Sequence, residues 1–136
     1  MKIIGIDPDI KASGVACYDE HGLTLHNMSF FELYYFLKSR SEYTVVIERG
    51  EENRHLFNAR GNFRTSLNIA MKTGKNFAVS DLLFEMCEVL GVKNVHSYVP
   101  GTQKMSHEQL TKIVKMPNKS NQEQRDAVRC ILSFIL

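Results

Sequence analysis

The sequence predicts an α/β fold with a mixed five-stranded sheet flanked by helices, and three observations support this prediction. An early pair of short strands is joined by the turn-rich tetrad DEHG at 19–22, which is suited to a hairpin. The continuous apolar run YTVVIE at 43–48 is typical of a strand buried on both faces. Helical segments separate this strand from its neighbours, as the crossover connections of parallel strands require.

The elements follow in a simple order along the chain. The predicted strands are residues 2–7, 12–18, 23–27, 43–48 and 92–99. The predicted helices are residues 30–40, 63–73, 77–90, 106–115 and 120–136. Ser29 and Glu32 form a capping-box pattern before the first helix, and Gly74 is expected to separate the second helix from the third. The polar stretch 49–62 shows no pattern of regular structure, and its length favours a functional loop.

Length and composition limit the number of domains and the class of protein. The 136 residues predict one domain, 1–136, with 43% hydrophobic and 24% charged residues, as in ordinary globular proteins. No apolar run reaches the length of a membrane span and no signal-peptide pattern is seen, so a cytoplasmic protein without membrane association is expected. The three cysteines, Cys17, Cys87 and Cys130, have no metal-ligand spacing and are expected to be reduced and mostly buried.

Four carboxylates occupy positions that suggest chemistry. Asp7 ends the first strand before Pro8, and Glu48 ends the apolar strand 43–48. Ligand sites in open α/β sheets lie beyond the carboxyl ends of strands. Glu123 and Asp126 are three residues apart on the last predicted helix, so both lie on one of its faces.

Each of these acids also has an ordinary interpretation. Asp7 is compatible with a turn before proline, Glu48 with the end of a strand, and Glu123 and Asp126 with acids stabilised by the helix dipole. Their joint occurrence is harder to explain without a cation. Mg²⁺ prefers hard oxygen ligands, and two such ions support phosphodiester hydrolysis without histidine or cysteine. The four acids are therefore the candidate metal ligands and catalytic residues.

Three stretches resemble the RuvC-type Holliday-junction resolvases, which have the RNase H-like fold. These stretches are IIGIDPDIKASGVA, VVIERGE and the late EQRDAV, and the similarity extends over nearly the whole chain. The small size of the chain is similar to that of bacteriophage members, and the resemblance assigns the metal to Asp7, Glu48, Glu123 and Asp126. It implies a homodimer that binds four-way DNA junctions and nicks two strands symmetrically with two Mg²⁺ ions, for which Mn²⁺ can substitute.

The sequence departs from that family at several points. Glu123 replaces the usual Asp, and Asp9 follows Pro8 where the family has Gly, which favours a turn role for Asp9. The family's lysine early in the penultimate helix is replaced by Ser106-His107, leaving Lys104 and Lys119 as possible substitutes. Candidates for the aromatic wedge of the family, which also fit core or dimer-interface positions, are Phe57 and Phe63.

Basic residues are concentrated after Glu48 and form either a solvated face or a phosphate-binding surface. The resemblance favours the second interpretation, because the family places its DNA-facing loop and dimer helix there. Basic side chains in such a surface pair with phosphates and fix register without reading bases. The predicted DNA-binding residues are Arg54, Arg60, Arg64, Lys72, Lys75, Lys104 and Lys119.

Other functions remain open at this point. A non-catalytic junction-binding module would not need all four carboxylates. A related nuclease acting on forks, flaps, three-way junctions or RNA would have the same acids, because the metal chemistry is the same. An ATP-handling relative of actin and the sugar kinases is disfavoured, since PDIKASG is not a Gly- and Thr-rich phosphate-binding turn. No nucleotide cofactor is therefore expected.

Overall fold

The computed structural model describes residues 1–49 and 63–136, the side chains of residues 63–70 and 73 excepted. Its strands are β1 (Ile3–Asp7), β2 (Ser13–Asp19), β3 (Gly22–Met28), β4 (Thr44–Glu48) and β5 (Val95–Tyr98). Its helices are α1 (Phe30–Lys38), α2 (Phe63–Val89), α3 (His107–Thr111) and α4 (Gln122–Ile135).

The five strands form one mixed sheet in the order β3-β2-β1-β4-β5. β1 pairs antiparallel with β2, and β2 pairs antiparallel with β3 through the predicted hairpin. β4 runs parallel to β1 on its other side, and β5 runs parallel to β4. The mixed sheet predicted from the sequence is therefore confirmed, with the carboxyl ends of β1, β4 and β5 at one edge.

Alternation along the strands divides the core into two layers. Successive side chains of a strand point to opposite faces of the sheet. Ile4, Ile6, Val45 and Ile47 pack on the face covered by α1 and α2. The intervening residues pack on the face covered by α3 and α4, and the buried residues of that layer are Ile3, Ala16, Val46, Leu110, Ala127, Val128, Cys130 and Ile131.

Two glycines allow α4 to lie directly on the sheet. A Cβ atom at Gly5 would overlap the backbone carbonyl of Ala127, and one at Gly14 would overlap the carbonyl of Glu123. Backbones approach this closely only where no side chain stands between them. Gly5 and Gly14 therefore fix the position of α4, and with it the position of the acids on its first two turns.

The predicted interruption at Gly74 is wrong. Residues 63–89 form one continuous helix, and within the part of the chain that the structure describes nothing outside this stretch of helix lies within 4 Å of the place where a Gly74 Cβ would be. One exposed glycine costs a helix only about 1 kcal/mol relative to alanine. The apolar face of α2, which includes Val79, Leu83 and Cys87, packs into the core and outweighs that cost.

Other boundaries were predicted too long. β5 covers only Val95–Tyr98 of the predicted 92–99, and α3 covers only His107–Thr111 of 106–115. The capping box of Ser29 and Glu32 is present as predicted.

The cysteines also match the prediction, since Cys17, Cys87 and Cys130 are buried free thiols. Among the described residues, none of the helices combines the length and the apolar content needed to cross a bilayer.

Candidate metal centre

Strand geometry directs Asp7 and Glu48 to the same side of the sheet. Asp7 has the same parity on β1 as Ile3, and Glu48 the same parity on β4 as Val46, so both side chains point towards the α4 layer. The parallel register pairs Ile6 with Ile47, which makes Asp7 and Glu48 neighbours at the strand ends. Gly14 is the antiparallel partner of Asp7 and leaves room for the first turn of α4 beside it.

The start of α4 is fixed by polar contacts. The side chain of Asn121 caps the helix by accepting a hydrogen bond from the backbone N–H of Gln124. In turn, the side-chain oxygen of Gln124 accepts a hydrogen bond from the backbone N–H of Asn121. The side-chain amides of Asn121 and Gln124 both donate to Oδ1 of Asn27 on β3, at 2.6 and 2.9 Å. These contacts hold the first turn of the helix against the sheet and place Asp126 beside the strand ends.

The carboxyl groups of Asp7 and Glu48 lie close together, which favours a proton on Asp7. Burial, the hydrogen bond to Glu48 and the negative charges of Glu48 and Asp126 raise the pKa of Asp7 from 3.8 to about 10, although the nearby Lys104 ammonium opposes this shift. The folded protein therefore retains a proton on Asp7 at neutral pH. The repulsion between carboxylates held this close is relieved by either a proton or a cation.

Asp126 is the most buried acid of the group, with 5% of its surface exposed. Its Oδ2 accepts a hydrogen bond from the Lys104 ammonium at 2.7 Å, and its Oδ1 accepts one from the Gln122 amide at 2.9 Å. Burial lowers the pKa of Lys104, but the bond to Asp126 and the charges of Asp126, Glu48 and Asp7 outweigh it and raise that pKa. Lys104 is thus a cation held at the carboxylates.

Glu123 lies at the rim of the same cleft. Its side chain is exposed, in contrast to that of Asp126 one turn later. The cleft has a volume of about 270 Å³ and is strongly polar; its lining residues are Asp7, Pro8, Asp9, Lys72, Asn76, Lys104, Gln122, Glu123 and Asp126. The structure therefore brings together Asp7, Glu48 and Asp126 and places Glu123 at the entrance.

The chemistry of these groups fits a divalent cation such as Mg²⁺ or Mn²⁺. Carboxylate oxygens are the hard ligands that these ions prefer, and a buried group of like charges gains most from a cation. Among the described residues, no three carboxylate, imidazole or thiol groups are arranged at the distances needed to coordinate one metal ion. The contacts of Asp126 with Lys104 and Gln122 occupy the oxygens that a metal would use.

Cys130 lies behind the carboxylates and takes no part in nucleophilic chemistry. Its thiol is fully buried and contacts the backbone carbonyls of Ile6 and Asp126, at 3.8 and 3.4 Å. Burial, followed by the charges of Glu48, Asp7 and Asp126, raises its pKa well above the ordinary value. Since the thiolate is the reactive form, a cysteine in this position is inert.

The loop after β1 joins the carboxylates to a second, basic cleft. Oδ2 of Asp9 accepts hydrogen bonds from the backbone N–H groups of Lys11 and Ala12, which is the turn role expected for Asp9. The backbone N–H of Ile10 donates to Oδ1 of Asn76 on α2 at 3.1 Å. The cleft at this junction has a volume of about 550 Å³ and is lined by Asp9, Ile10, Lys11, Met71, Lys72, Lys75 and Glu123.

The predicted DNA-binding residues fall into three groups. Lys72 and Lys75 line the basic cleft, and Lys104 contacts Asp126. Lys119 is exposed between α3 and α4. Arg54, Phe57 and Arg60 lie outside the described residues, and of Phe63 and Arg64 only the helical backbone is described.

Three contributors to the site were missed by sequence reasoning. Gln122 is four residues before Asp126 on a helix, a spacing that predicts side-chain contact and was available from the sequence. Asn76 contacts Ile10, and Lys11 lines one cleft with Lys72 and Lys75, only because α2 crosses beside the β1–β2 loop. Neither contact can be predicted from the residues nearby in the sequence.

Two solved structures share this fold. The structure of T. thermophilus RuvC in complex with Holliday junction substrate has a TM-score of 0.59 and 16% identity, covering 98% of this chain and 92% of that chain. A T. thermophilus RuvC structure gives a TM-score of 0.50 with the same identity and coverage. No protein-family model and no curated protein matches the sequence. The RNase H-like fold and the resemblance to RuvC are confirmed at the level of the fold.

Proposed function

We propose that this protein is a divalent-metal-dependent endonuclease that cuts branched DNA, with the four-way Holliday junction as its principal substrate. The observation that carries the proposal is the convergence of Asp7, Glu48 and Asp126 at the carboxyl ends of two parallel strands. A purely structural role does not explain why a fold would keep three acids together where burial and the neighbouring charges raise the pKa of Asp7.

Each acid has a definite part in the proposed site. Asp7, Glu48 and Asp126 would hold the cations at the strand ends, and Glu123 would add a ligand from the rim of the cleft. Two bound ions supply activation of a water molecule and stabilisation of the leaving 3′ oxygen in phosphodiester hydrolysis. Gln122 fixes the rotamer of Asp126 through their hydrogen bond of 2.9 Å. The backbone contacts of α4 with Gly5 and Gly14 fix the spacing between the two strand acids and the helix acids.

A nucleic acid is the substrate that best fits the surroundings of these acids. Lys11, Lys72 and Lys75 line a cleft that shares Asp9, Lys72 and Glu123 with the acidic one. A phosphodiester backbone places a row of negative charges along such a surface, and the lysines would bind phosphates flanking the cleaved one. The Asn76 bond to the backbone of Ile10 holds both walls of this cleft together.

A homodimer explains how two strands would be cut symmetrically. The outer side of α2 exposes Leu82 and Val89, with 49% and 77% of their surfaces accessible. Their spacing along the helix places them on one side of it, where a second copy of α2 would cover them. The RuvC structure of the same fold was solved with a Holliday junction substrate. This likeness supports the four-way junction over other branched DNA.

The test is a cleavage panel with the purified protein. Labelled four-way junction, three-way junction, fork, flap, linear duplex and RNA–DNA hybrid are incubated with Mg²⁺, Mn²⁺ or EDTA. We expect paired nicks in the four-way junction with either ion and none in EDTA. Faster cleavage of flaps or RNA hybrids than of the junction would assign the centre to that substrate. Tight junction binding without cleavage under any condition would indicate a binding module and contradict the proposal.

The dimer has a separate test. Leu82→Glu places a charge in the exposed apolar row of α2, and analytical ultracentrifugation is expected to show a shift from dimer to monomer. Val99→Glu, which alters an exposed apolar residue next to β5, is the matched control and should remain dimeric. A wild-type protein that is monomeric at micromolar concentration would contradict this part of the proposal.

A further inference from the structure

Lys104 lies where a metal ion would be expected. Its ammonium Nζ is 2.7 Å from Oδ2 of Asp126, and its charge also acts on Asp7 and Glu48. A single cation is thus bonded to Asp126 and acts on the charges of Asp7 and Glu48 as well. Two cations cannot occupy the same carboxylate oxygen without strong repulsion.

The two partners of this ion pair differ in their freedom to move. The Lys104 side chain is 62% exposed, whereas only 6% of the Asp126 side chain is accessible. Lys104 belongs to the irregular segment between β5 and α3, while Asp126 is fixed on α4 and also bound by Gln122. If the pair separates, the lysine moves and the aspartate remains in place.

We propose that Lys104 is the internal counter-cation of the metal-free centre and that a divalent ion binds by displacing its ammonium group from Asp126. The inference rests on the proposed function, since it assumes that the acids bind metal. It adds a competition between the Lys104 ammonium and the divalent ion for the Asp126 carboxylate. The lysine stabilises the empty arrangement of carboxylates and thereby weakens the apparent affinity for the ion.

The test measures Mn²⁺ binding without DNA, by electron paramagnetic resonance of the free ion. Lys104→Met removes the charge and keeps much of the length of the side chain. We expect it to bind Mn²⁺ about 10-fold more tightly than the wild type, the size of a typical coupling between two ligands of one site. Lys93→Met, which removes an exposed lysine between α2 and β5, should bind like the wild type. Equal or weaker binding by Lys104→Met would overturn the inference.

Two further measurements keep the result clear if Lys104→Met is unstable. Lys104→Arg keeps the cation, folds with the same charge balance and should retain the wild-type affinity for Mn²⁺. In the wild type, the Lys104 ammonium signal in a ¹H–¹⁵N NMR spectrum should be protected without metal and lose that protection when Mg²⁺ is added. A signal unaffected by saturating Mg²⁺ would overturn the inference.

Failure of the inference and failure of the proposed function give different results. If the wild type and Lys104→Met bind Mn²⁺ equally, the acids bind metal and only the competition is wrong. If neither protein binds Mn²⁺, the metal-dependent function and the competition are both overturned.

Discussion

Aspartates at the two ends of the strands, which form opposite edges of the sheet, have pKa values shifted in opposite directions. Asp7 ends β1 at one edge, and Asp19 ends the antiparallel β2 at the other. Hydrogen bonds from the His21 backbone, and then from the Tyr43 hydroxyl at 3.1 Å, lower the pKa of Asp19. Burial and neighbouring acids raise that of Asp7 to about 10. Hydrogen-bond donors of the fold favour the charged form of Asp19, whereas burial and neighbouring acids oppose the charged form of Asp7.

This difference separates structural acids from functional ones. An acid that the fold uses for its own stability has donors around it, as Asp19 has. An acid surrounded by other acids lowers the stability of the folded protein, which makes it a candidate for a functional role. The predictions below compare matched changes at the two edges, which we call the Asp7 edge and the Asp19 edge.

Asp7→Asn should cause the largest effect. We expect junction cleavage to fall by about 1,000-fold or more, because a central metal ligand is replaced by an amide. Asp19→Asn should cleave at close to the wild-type rate, since Asp19 belongs to the other edge. The measurement is single-turnover cleavage with saturating protein and Mg²⁺. Equal losses in the two variants would show that the loss reflects folding and not the metal centre.

Replacing one glycine by alanine at each edge should affect Mn²⁺ binding only at the Asp7 edge. Gly14→Ala pushes the first turn of α4 off the sheet at the Asp7 edge, which we expect to cost about 1–3 kcal/mol of stability and to weaken Mn²⁺ binding. Gly22→Ala is strained because the φ angle is +99°, and it should cost about 1 kcal/mol. Chemical denaturation gives both costs. If Gly22→Ala weakened Mn²⁺ binding as much as Gly14→Ala, the proposed role of Gly14 would be wrong.

The stability of the metal-free protein should depend on pH in opposite senses at the two edges. The unfolded chain releases the Asp7 proton above a pH of about 3.8, whereas the folded protein holds it until about 10. The free energy of unfolding therefore falls as the pH rises through this window. The lowered pKa of Asp19 gives a contribution that is present above its ordinary pKa and is lost in acid.

Thermal unfolding in EDTA checks these slopes. Between pH 5 and 9, the unfolding temperature of Asp7→Asn should rise progressively above that of the wild type, because the asparagine amide donates to Glu48 without titrating. Added Mg²⁺ should remove most of this difference by stabilising the wild type. A difference between the two proteins that stays constant across this pH range would contradict the assignment.

The smallest effect concerns DNA affinity. Lys72→Ala should weaken junction binding modestly and reduce the slope of log K against log salt by about 1, as expected for one lost phosphate contact. Lys2→Ala removes a lysine at the Asp19 edge that pairs with Glu42 at 3.8 Å, and it should leave the slope unchanged. Fluorescence anisotropy at several salt concentrations gives the slopes. A change of slope in Lys2→Ala alone would place the DNA on the other edge.

The sequence allowed much of the Asp7 edge to be predicted because its strands carry strong local patterns. The apolar run before Glu48 and the β-branched run before Asp7 locate both strand ends within a residue or two. The spacing of Glu123 and Asp126 places them on one side of a helix, but their depths differ. Asp126 is buried and Glu123 is exposed because α4 leans on Gly14 at its first turn, which a helix pattern alone does not contain.

The remaining contacts of the site depend on tertiary structure. Lys104 lies in an irregular segment, so no periodicity relates it to Asp126, 22 residues later. Gly74 gave a misleading signal, because local propensity at one residue was outweighed by the packing of the rest of α2. Contacts between distant segments are set by how helices dock on the sheet.

The candidate centre joins the first strand to the last helix. Asp7 and Asp126 meet only when α4 has docked on the glycines of β1 and β2, which are far from α4 in the sequence. A chain with a formed sheet but an undocked α4 would contain no complete centre. The proposed nuclease activity would therefore appear only in chains whose last helix has docked on the sheet.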